Sequence, residues 1–158
     1  MAWNKISRFI VLFISTGCFV GYASLAPASA ACLVVSLGIY FAGGSVFFAQ
    51  NYALISLAIL VLGFLVCTEA ERIFKKKDPK QIVIDDILGQ FIAVYGFHDS
   101  GVPLYIILGF LFFRIIDNVK PFPIRRIERL DGASGIIGDD VAAGLYANLL
   151  LRLCVLVM

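Results

Sequence analysis

The sequence predicts an all-α membrane protein, a polytopic transmembrane helical bundle of about five spans with an N-terminal interfacial or re-entrant segment. Three observations carry this. Of 158 residues, 61% are apolar or aromatic and only 15% are charged, with a mean hydropathy of +0.95, whereas soluble domains run roughly half apolar and a quarter charged. Apolar runs recur at close to the ~20 residues a helix needs to cross roughly 30 Å of hydrocarbon. The basic residues are clustered between those runs. So short a chain buries too small a fraction of its surface to hide this much apolar area. A soluble monomer, a disordered chain and a nucleic-acid binder are excluded, and residues 1–158 read as a single membrane-embedded domain.

Six apolar stretches follow in order. Phe9 to Ala26 opens the chain. Ala30 to Phe48 and Tyr52 to Thr68 carry no charge, and Gln81 to Phe97 carries only Asp85 and Asp86 near its start. Val102 to Asp117 is apolar until Arg114 and Asp117, and Val141 to Met158 is interrupted only by Asn148 and Arg152. Arg152 is expected to pair within the bundle or to snorkel toward the outer interface.

Orientation follows from the basic residues, which stay on the cytoplasmic side. Lys5 and Arg8 precede the first stretch. Arg72, Lys75, Lys76, Lys77 and Lys80 fill one linker, and Lys120, Arg125, Arg126 and Arg129 fill another; together these are eleven of the thirteen Lys and Arg. The connections Gly43 to Asn51 and His98 to Pro103 contain none. With both rich linkers in the cytoplasm, the last five stretches alternate in direction. A sixth ordinary span would throw both linkers outside, so Phe9 to Ala26 is expected to lie along the interface or to dip in and return. Its break falls at Ala26-Pro27-Ala28-Ser29, where proline bends the chain. The same stretch also has the form of a cleavable leader, with Lys5 and Arg8, an apolar core and Ala28-Ser29-Ala30.

Cys18, Cys32, Cys67 and Cys154 sit in or beside apolar runs without C-x-x-C spacing, as small buried hydrophobes do. The single histidine, His98, excludes a His-based metal site.

The carboxylates inside the apolar runs carry the functional reading, because ionisable groups in membrane segments are costly. Asp85 and Asp86 stand at the cytoplasmic start of one span, Asp117 at the cytoplasmic end of the next, and Asp139 and Asp140 at the start of the last. An Asp at a helix N-terminus complements the macrodipole, the ordinary account of Asp85, Asp86, Asp139 and Asp140. It does not account for three clusters meeting on one side. Oxygen-only donors suit a hard cation, and Mg²⁺ binds through a few carboxylates, waters and a substrate phosphate. The candidate ligands are Asp85, Asp86, Asp117 and Asp140, with Asp139 in the same catalytic pool. Arg114, Lys120, Arg125 and Arg126, interleaved with Pro121-Phe122-Pro123-Ile124, supply the groups that grip phosphate, although a basic linker also simply attracts anionic lipid. Lys120 falls on the face of Asp117 if that helix continues to the proline. The site is thus a Mg²⁺-dependent one for a phosphate-bearing substrate at the inner membrane surface, and the pattern leaves hydrolysis, phosphate-group transfer and transport open.

At these residues the sequence resembles the phosphatidylglycerophosphatase A family. Three blocks carry the likeness: Ile82 to Gly89 (IVIDDILG), Phe113 to Ile124 (FRIIDNVKPFPI) and Gly135 to Gly144 (GIIGDDVAAG). The resemblance implies Mg²⁺-dependent removal of the terminal phosphate from phosphatidylglycerophosphate, a step at the bacterial inner membrane, with the active site facing the cytoplasm and the acyl chains left in lipid. Two departures stand out. Asp85-Asp86 replaces the family's usual Asp-Glu, shortening one side chain by a methylene. Pro27-Ala28-Ser29-Ala30-Ala31-Cys32 stands where the family has P-G-T-x-G-S, with both glycines replaced; Ser29 keeps a hydroxyl for the head group. The alignment also places this element inside the family domain, against leader cleavage. Two other classes compete: a CDP-alcohol phosphotransferase-type membrane enzyme, faintly suggested by Asp131-Gly132-Ala133 before Gly138-Asp139-Asp140, and a non-enzymatic transporter, whose charges should line a path through the bilayer.

Overall fold

A computed structural model of the chain describes residues 4–157, so Met158 of the predicted last span and residues 1–3 of the domain lie outside the described residues. Among the described residues the regular elements are helices: α1 (Lys5–Ser15), α2 (Pro27–Ala42), α3 (Val46–Phe74), α4 (Ile84–Ala93), α5 (Pro103–Val119), α6 (Ile124–Ile127) and α7 (Ala133–Val157), with a 3₁₀ turn at Val20–Tyr22.

The opening stretch is not one helix. α1 stops at Ser15, and the chain reverses through left-handed Gly17, Cys18 and Phe19. The Thr16 hydroxyl holds the reversal, donating to the Leu12 carbonyl (2.7 Å) and accepting from the Phe19 N–H (3.1 Å). The second break falls where proline predicts it: Ala26 is left-handed and Pro27 opens α2, a position at which its missing N–H costs nothing. The Val83 N–H donates to the Ser15 carbonyl at 2.9 Å, tying this stretch to the start of α4.

Helix limits differ from the apolar runs in instructive ways. Ala30 to Phe48 is divided, because α2 ends at Ala42 and α3 starts at Val46. α3 continues past Thr68 to Phe74, taking Glu69, Glu71 and Arg72 into its last turns. Gln81 to Phe97 does not form a bilayer-length helix. Its helical core, α4, has 10 residues, about 15 Å at 1.5 Å per residue, bounded by Val83 at φ −142° and by Gly96 at φ +85°. α5 opens on Pro103 and runs two residues past Asp117, to Val119. α7 begins at Ala133, eight residues before the predicted Val141.

Among the described residues two helices, α3 and α7, are long and apolar enough to cross a membrane, and only 22% and 28% of their most apolar stretches is buried within the protein. The remainder faces outward: Leu54, Leu57, Phe64 and Leu65 on α3, Leu145, Leu149 and Leu153 on α7, with Leu33 and Leu37 on α2 and Ile107 and Ile115 on α5. Leaving each such side chain in water rather than in hydrocarbon would cost about 1.5–3 kcal/mol.

α4 lies at the centre, packed most extensively on α7 and also on α2, α3 and α5. Glycine makes the α4–α7 crossing close. A Cβ on Gly144 would lie 2.6 Å from the Gly89 carbonyl oxygen, and one on Gly89 would enter the Phe113 ring. Small residues at such a crossing let backbones approach, which strengthens packing where no hydrophobic force pulls helices together. Thr68 of α3 accepts a hydrogen bond from the first N–H of α7, at Ala133 (3.1 Å).

The five longer-run helices run between two ends. At one end lie the α2–α3 turn, where Gly43 abuts the His98 carbonyl, and an aromatic cluster in which His98 stacks on Tyr52 at 3.8 Å. The Tyr52 hydroxyl donates to the Phe91 carbonyl at 2.9 Å. Arg152 belongs to this end and pairs within the bundle. Its Nε donates to Asn148 (2.8 Å), its Nη2 to the Tyr95 carbonyl (3.2 Å), and its guanidinium lies over Phe97. Asn148 in turn donates to the Ala93 and Tyr95 carbonyls, which closes the C-terminus of α4. The other end gathers the acids.

Candidate active site

The acidic end is a cleft of about 830 Å³, walled by Ser24, Ala26, Pro27 and Ala28 on one side and by residues of α4, α5 and α7 on the others. Asp85, Asp86, Asp117, Asp139, Asp140, Arg114 and Lys120 all line it. The residues singled out by type therefore come from three separate helices and converge.

Each helix delivers its acids differently. Asp85 and Asp86 occupy the first turn of α4, where the macrodipole favours them. Asp117 lies in the last turn of α5, where it does not. Asp139 and Asp140 lie two turns inside α7, whose first turn holds no acid, so the macrodipole explanation does not apply to them. These two are 6% and 5% exposed, and Asp85 and Asp86 are 7% each. Burying so many carboxylates is costly unless they are partnered.

Two cations partner them. Arg114 Nη1 donates to Asp86 Oδ1 (2.6 Å) and to Asp117 Oδ2 (3.0 Å), linking α4 to α5. Lys120 Nζ donates to Asp139 Oδ2 (2.6 Å) and to Glu128 Oε1 (2.8 Å), linking α5 to α7 and to the segment after α6. The helix does not continue to the proline as the Asp117–Lys120 spacing requires. α5 stops at Val119 because the residue before proline is pushed out of the right-handed helical region, and Lys120 caps the helix in the left-handed conformation. That turn aims its side chain at α7. Burial works against the ammonium of Lys120, but its hydrogen bonds to Asp139 and Glu128 outweigh this and raise its pKa above the ordinary lysine value. For the Asp78 carboxyl, burial acts in the opposite sense and raises the pKa, with the Lys120 charge pulling it back.

Oxygens of Asp85, Asp86 and Asp140 lie within 4.8 Å of one another, as do oxygens of Asp117, Asp139 and Asp140. Asp85 Oδ1 and Asp139 Oδ1 are buried and meet no donor among the described residues. Closely spaced carboxylates with unmatched buried oxygens, and no sulfur or nitrogen among them, fit a hard divalent cation.

Ser29 and Arg125 do not line the cleft. Ser29 follows Ala28, a wall residue, within the first turn of α2, and Arg125 is exposed on α6. Arg126 is also turned away, lying 4.9 Å over the Phe122 ring. Cys32, at the departure from the family element, is fully buried, with its thiol 3.6 Å from the Asp86 carbonyl; it supports α4 from behind. The cleft also contains Lys77, Asp78, Lys80 and Glu128, which the sequence reading left in basic linkers. Their signal was present only in part, since Asp78 and Glu128 are the acids embedded among those lysines and arginines.

A family profile described as Phosphatidylglycerophosphatase A matches residues 13–155. A Bacteroides thetaiotaomicron protein named "Putative phosphatidylinositol-3-phosphatase" is 29% identical over 93% of this chain and 94% of its own length. Proteins named Phosphatidylglycerophosphatase A from Escherichia coli (strain K12) and Haemophilus influenzae are 31% and 35% identical over 62% and 55% of this chain, and 57% and 53% of their own lengths. No solved structure matches. The chain belongs to the phosphatidylglycerophosphatase A family and is a phosphatase.

Proposed function

We propose that this family member is a Mg²⁺-dependent lipid phosphatase that hydrolyses phosphatidylglycerophosphate to phosphatidylglycerol and inorganic phosphate at the cytoplasmic face of a bacterial inner membrane. The observation that carries the reading is the convergence of Asp85, Asp86, Asp117, Asp139 and Asp140 with Arg114 and Lys120 in one cleft. Asp85, Asp86, Asp117 and Asp140 are the proposed ligands, joined by Asp139, whose Oδ1 has no donor among the described residues. Mg²⁺ held there supplies charge neutralisation for the phosphoryl oxygens and a lowered pKa for bound water.

The chain's own residues do the rest. Arg114 and Lys120 present cationic N–H groups to the phosphate, the first as a planar fork and the second as a point charge. Their ion pairs fix both before substrate arrives, so little reorganisation is left for the reaction itself. The basic linkers share the cleft's end through Lys77 and Lys80, which supports a cytoplasmic opening. The proposed topology is multi-pass: α2, α3, α5 and α7 cross, and the segment from α4 to His98, with its acids at the start, carries the chain from the cleft end to the aromatic end.

The test is release of inorganic phosphate by protein purified in detergent. Phosphatidylglycerophosphate with Mg²⁺ should give turnover that EDTA abolishes; no release with this lipid would refute the reading. Phosphatidylinositol 3-phosphate belongs in the same assay, since the Bacteroides relative is named for it, and preferential turnover of that lipid would replace the proposed substrate. Lys75→Cys and Arg129→Cys, in a Cys18→Ser background, should be labelled in intact cells only after permeabilisation of the inner membrane; labelling from outside would overturn the orientation.

A further inference from the structure

The acids sort into two sets with one member in common. Asp85, Asp86 and Asp140 form the first, Asp117, Asp139 and Asp140 the second. Helix geometry explains the division. Consecutive residues on a helix diverge by about 100°, so Asp139 turns toward α5, reaching Lys120, while Asp140 is shared with the acids of α4.

Each set holds its own unmatched oxygen. Asp85 Oδ1 belongs to the first and Asp139 Oδ1 to the second, and both residues are more than nine-tenths buried. The cations leave room for ligation in both sets. Arg114 takes Oδ1 of Asp86 and Oδ2 of Asp117, and Lys120 takes Oδ2 of Asp139, which leaves each of these acids a second oxygen. Charge points the same way. With every group ionised, the cleft is lined by seven carboxylates (Asp78, Asp85, Asp86, Asp117, Glu128, Asp139 and Asp140) against four cations (Lys77, Lys80, Arg114 and Lys120). One dication would leave the cleft negative and repel a phosphate monoester, whereas two reverse its sign.

We propose that the cleft holds two divalent cations, one in each set, with the Asp140 carboxylate bridging them. The inference rests on reading the cleft as a Mg²⁺-dependent phosphatase site. A pair of ions sharing one carboxylate supplies a clamp for both the attacking and the leaving oxygen of a phosphoryl group.

The probe is Mn²⁺, which shares the preference for oxygen ligands, titrated into metal-depleted full-length protein in detergent while free ion is followed by electron paramagnetic resonance. The wild-type chain should bind two ions with the spin coupling of a pair about 3.5–4 Å apart. Asp85→Asn and Asp139→Asn should each lower the count to one, and Asp140→Asn should abolish the coupling. One bound ion, or two uncoupled ions, overturns the inference; if Mg²⁺-dependent phosphate release persists in that same preparation, the functional reading survives alone. Absence of both ion binding and release overturns both. The wild-type count decides the matter even if a variant fails to fold.

Discussion

The two ends of this bundle use charge for opposite purposes. At the aromatic end, Arg152 spends its donors on Asn148 and on the Tyr95 carbonyl, and Asn148 closes Ala93 and Tyr95. Polar side chains there answer a backbone requirement, the unpaired carbonyls at a helix terminus. At the cleft end, Arg114 and Lys120 pair with side chains, and oxygens of Asp85 and Asp139 meet no donor among the described residues. At the aromatic end the backbone carbonyls are answered from within, while both nitrogens of the buried His98 ring meet no partner among the described residues. Only at the cleft end do the unmatched buried atoms include oxygens of clustered carboxylates.

The sharpest way to break this comparison is to neutralise one acid. Asp117→Asn and Asp140→Asn keep shape and remove charge, and each should lower phosphate release by at least 10²–10³-fold, roughly the effect of losing one preorganised electrostatic group. Circular dichroism should show the helices intact. Full activity in both variants would make the cleft as structural as the opposite end.

A smaller effect is expected where the ends are joined. Gly144→Ala places a methyl 2.6 Å from the Gly89 carbonyl and forces α4 off α7, at a cost of about 1–3 kcal/mol. The thermal midpoint should fall by several degrees and activity should fall with it. Gly38→Ala, whose added methyl meets nothing within 4 Å, is the matched control and should leave both unchanged. Equal behaviour of the two variants would remove the close crossing from the account.

The smallest effect tests the aromatic end. Arg152→Met removes one bond within α7, to Asn148, and one to the Tyr95 carbonyl, the second worth about 0.6–2 kcal/mol by the measure of bonds between membrane helices. Stability in detergent should drop while phosphate release per folded molecule stays within about twofold. A large loss of turnover at unchanged stability would show that this end takes part in the reaction.

Much of this was legible in the sequence, and the rest was hidden for physical reasons. Composition and the apolar runs disclosed an all-helical chain, and residue type picked out the five aspartates and Arg114 that line the cleft. Helix ends were less visible. The Ala133 to Gly138 segment lies before the predicted last stretch, yet α7 starts there, and Thr68 receives its first N–H, a tertiary contact no local pattern reveals. The brevity of α4 was likewise masked, since Ile82 and Val83 are apolar and extend the run but take non-helical backbone. Lys120 was found by type and misplaced by geometry, because the proline that follows it ends the helix one residue sooner than spacing suggests. Asp78 and Glu128 went unnoticed among their basic neighbours, whose crowding reads as a topology signal.

The single nitrogen through which Arg114 engages two helices has a further consequence. Nη1 alone carries both ion pairs, while Nε is buried without an acceptor among the described residues. The guanidinium is thus already stripped of water on one side and still has hydrogens to offer. On the proposed function, an arriving oxyanion would reach this guanidinium without dismantling the latch between α4 and α5, so that one residue would act as hinge pin and as host.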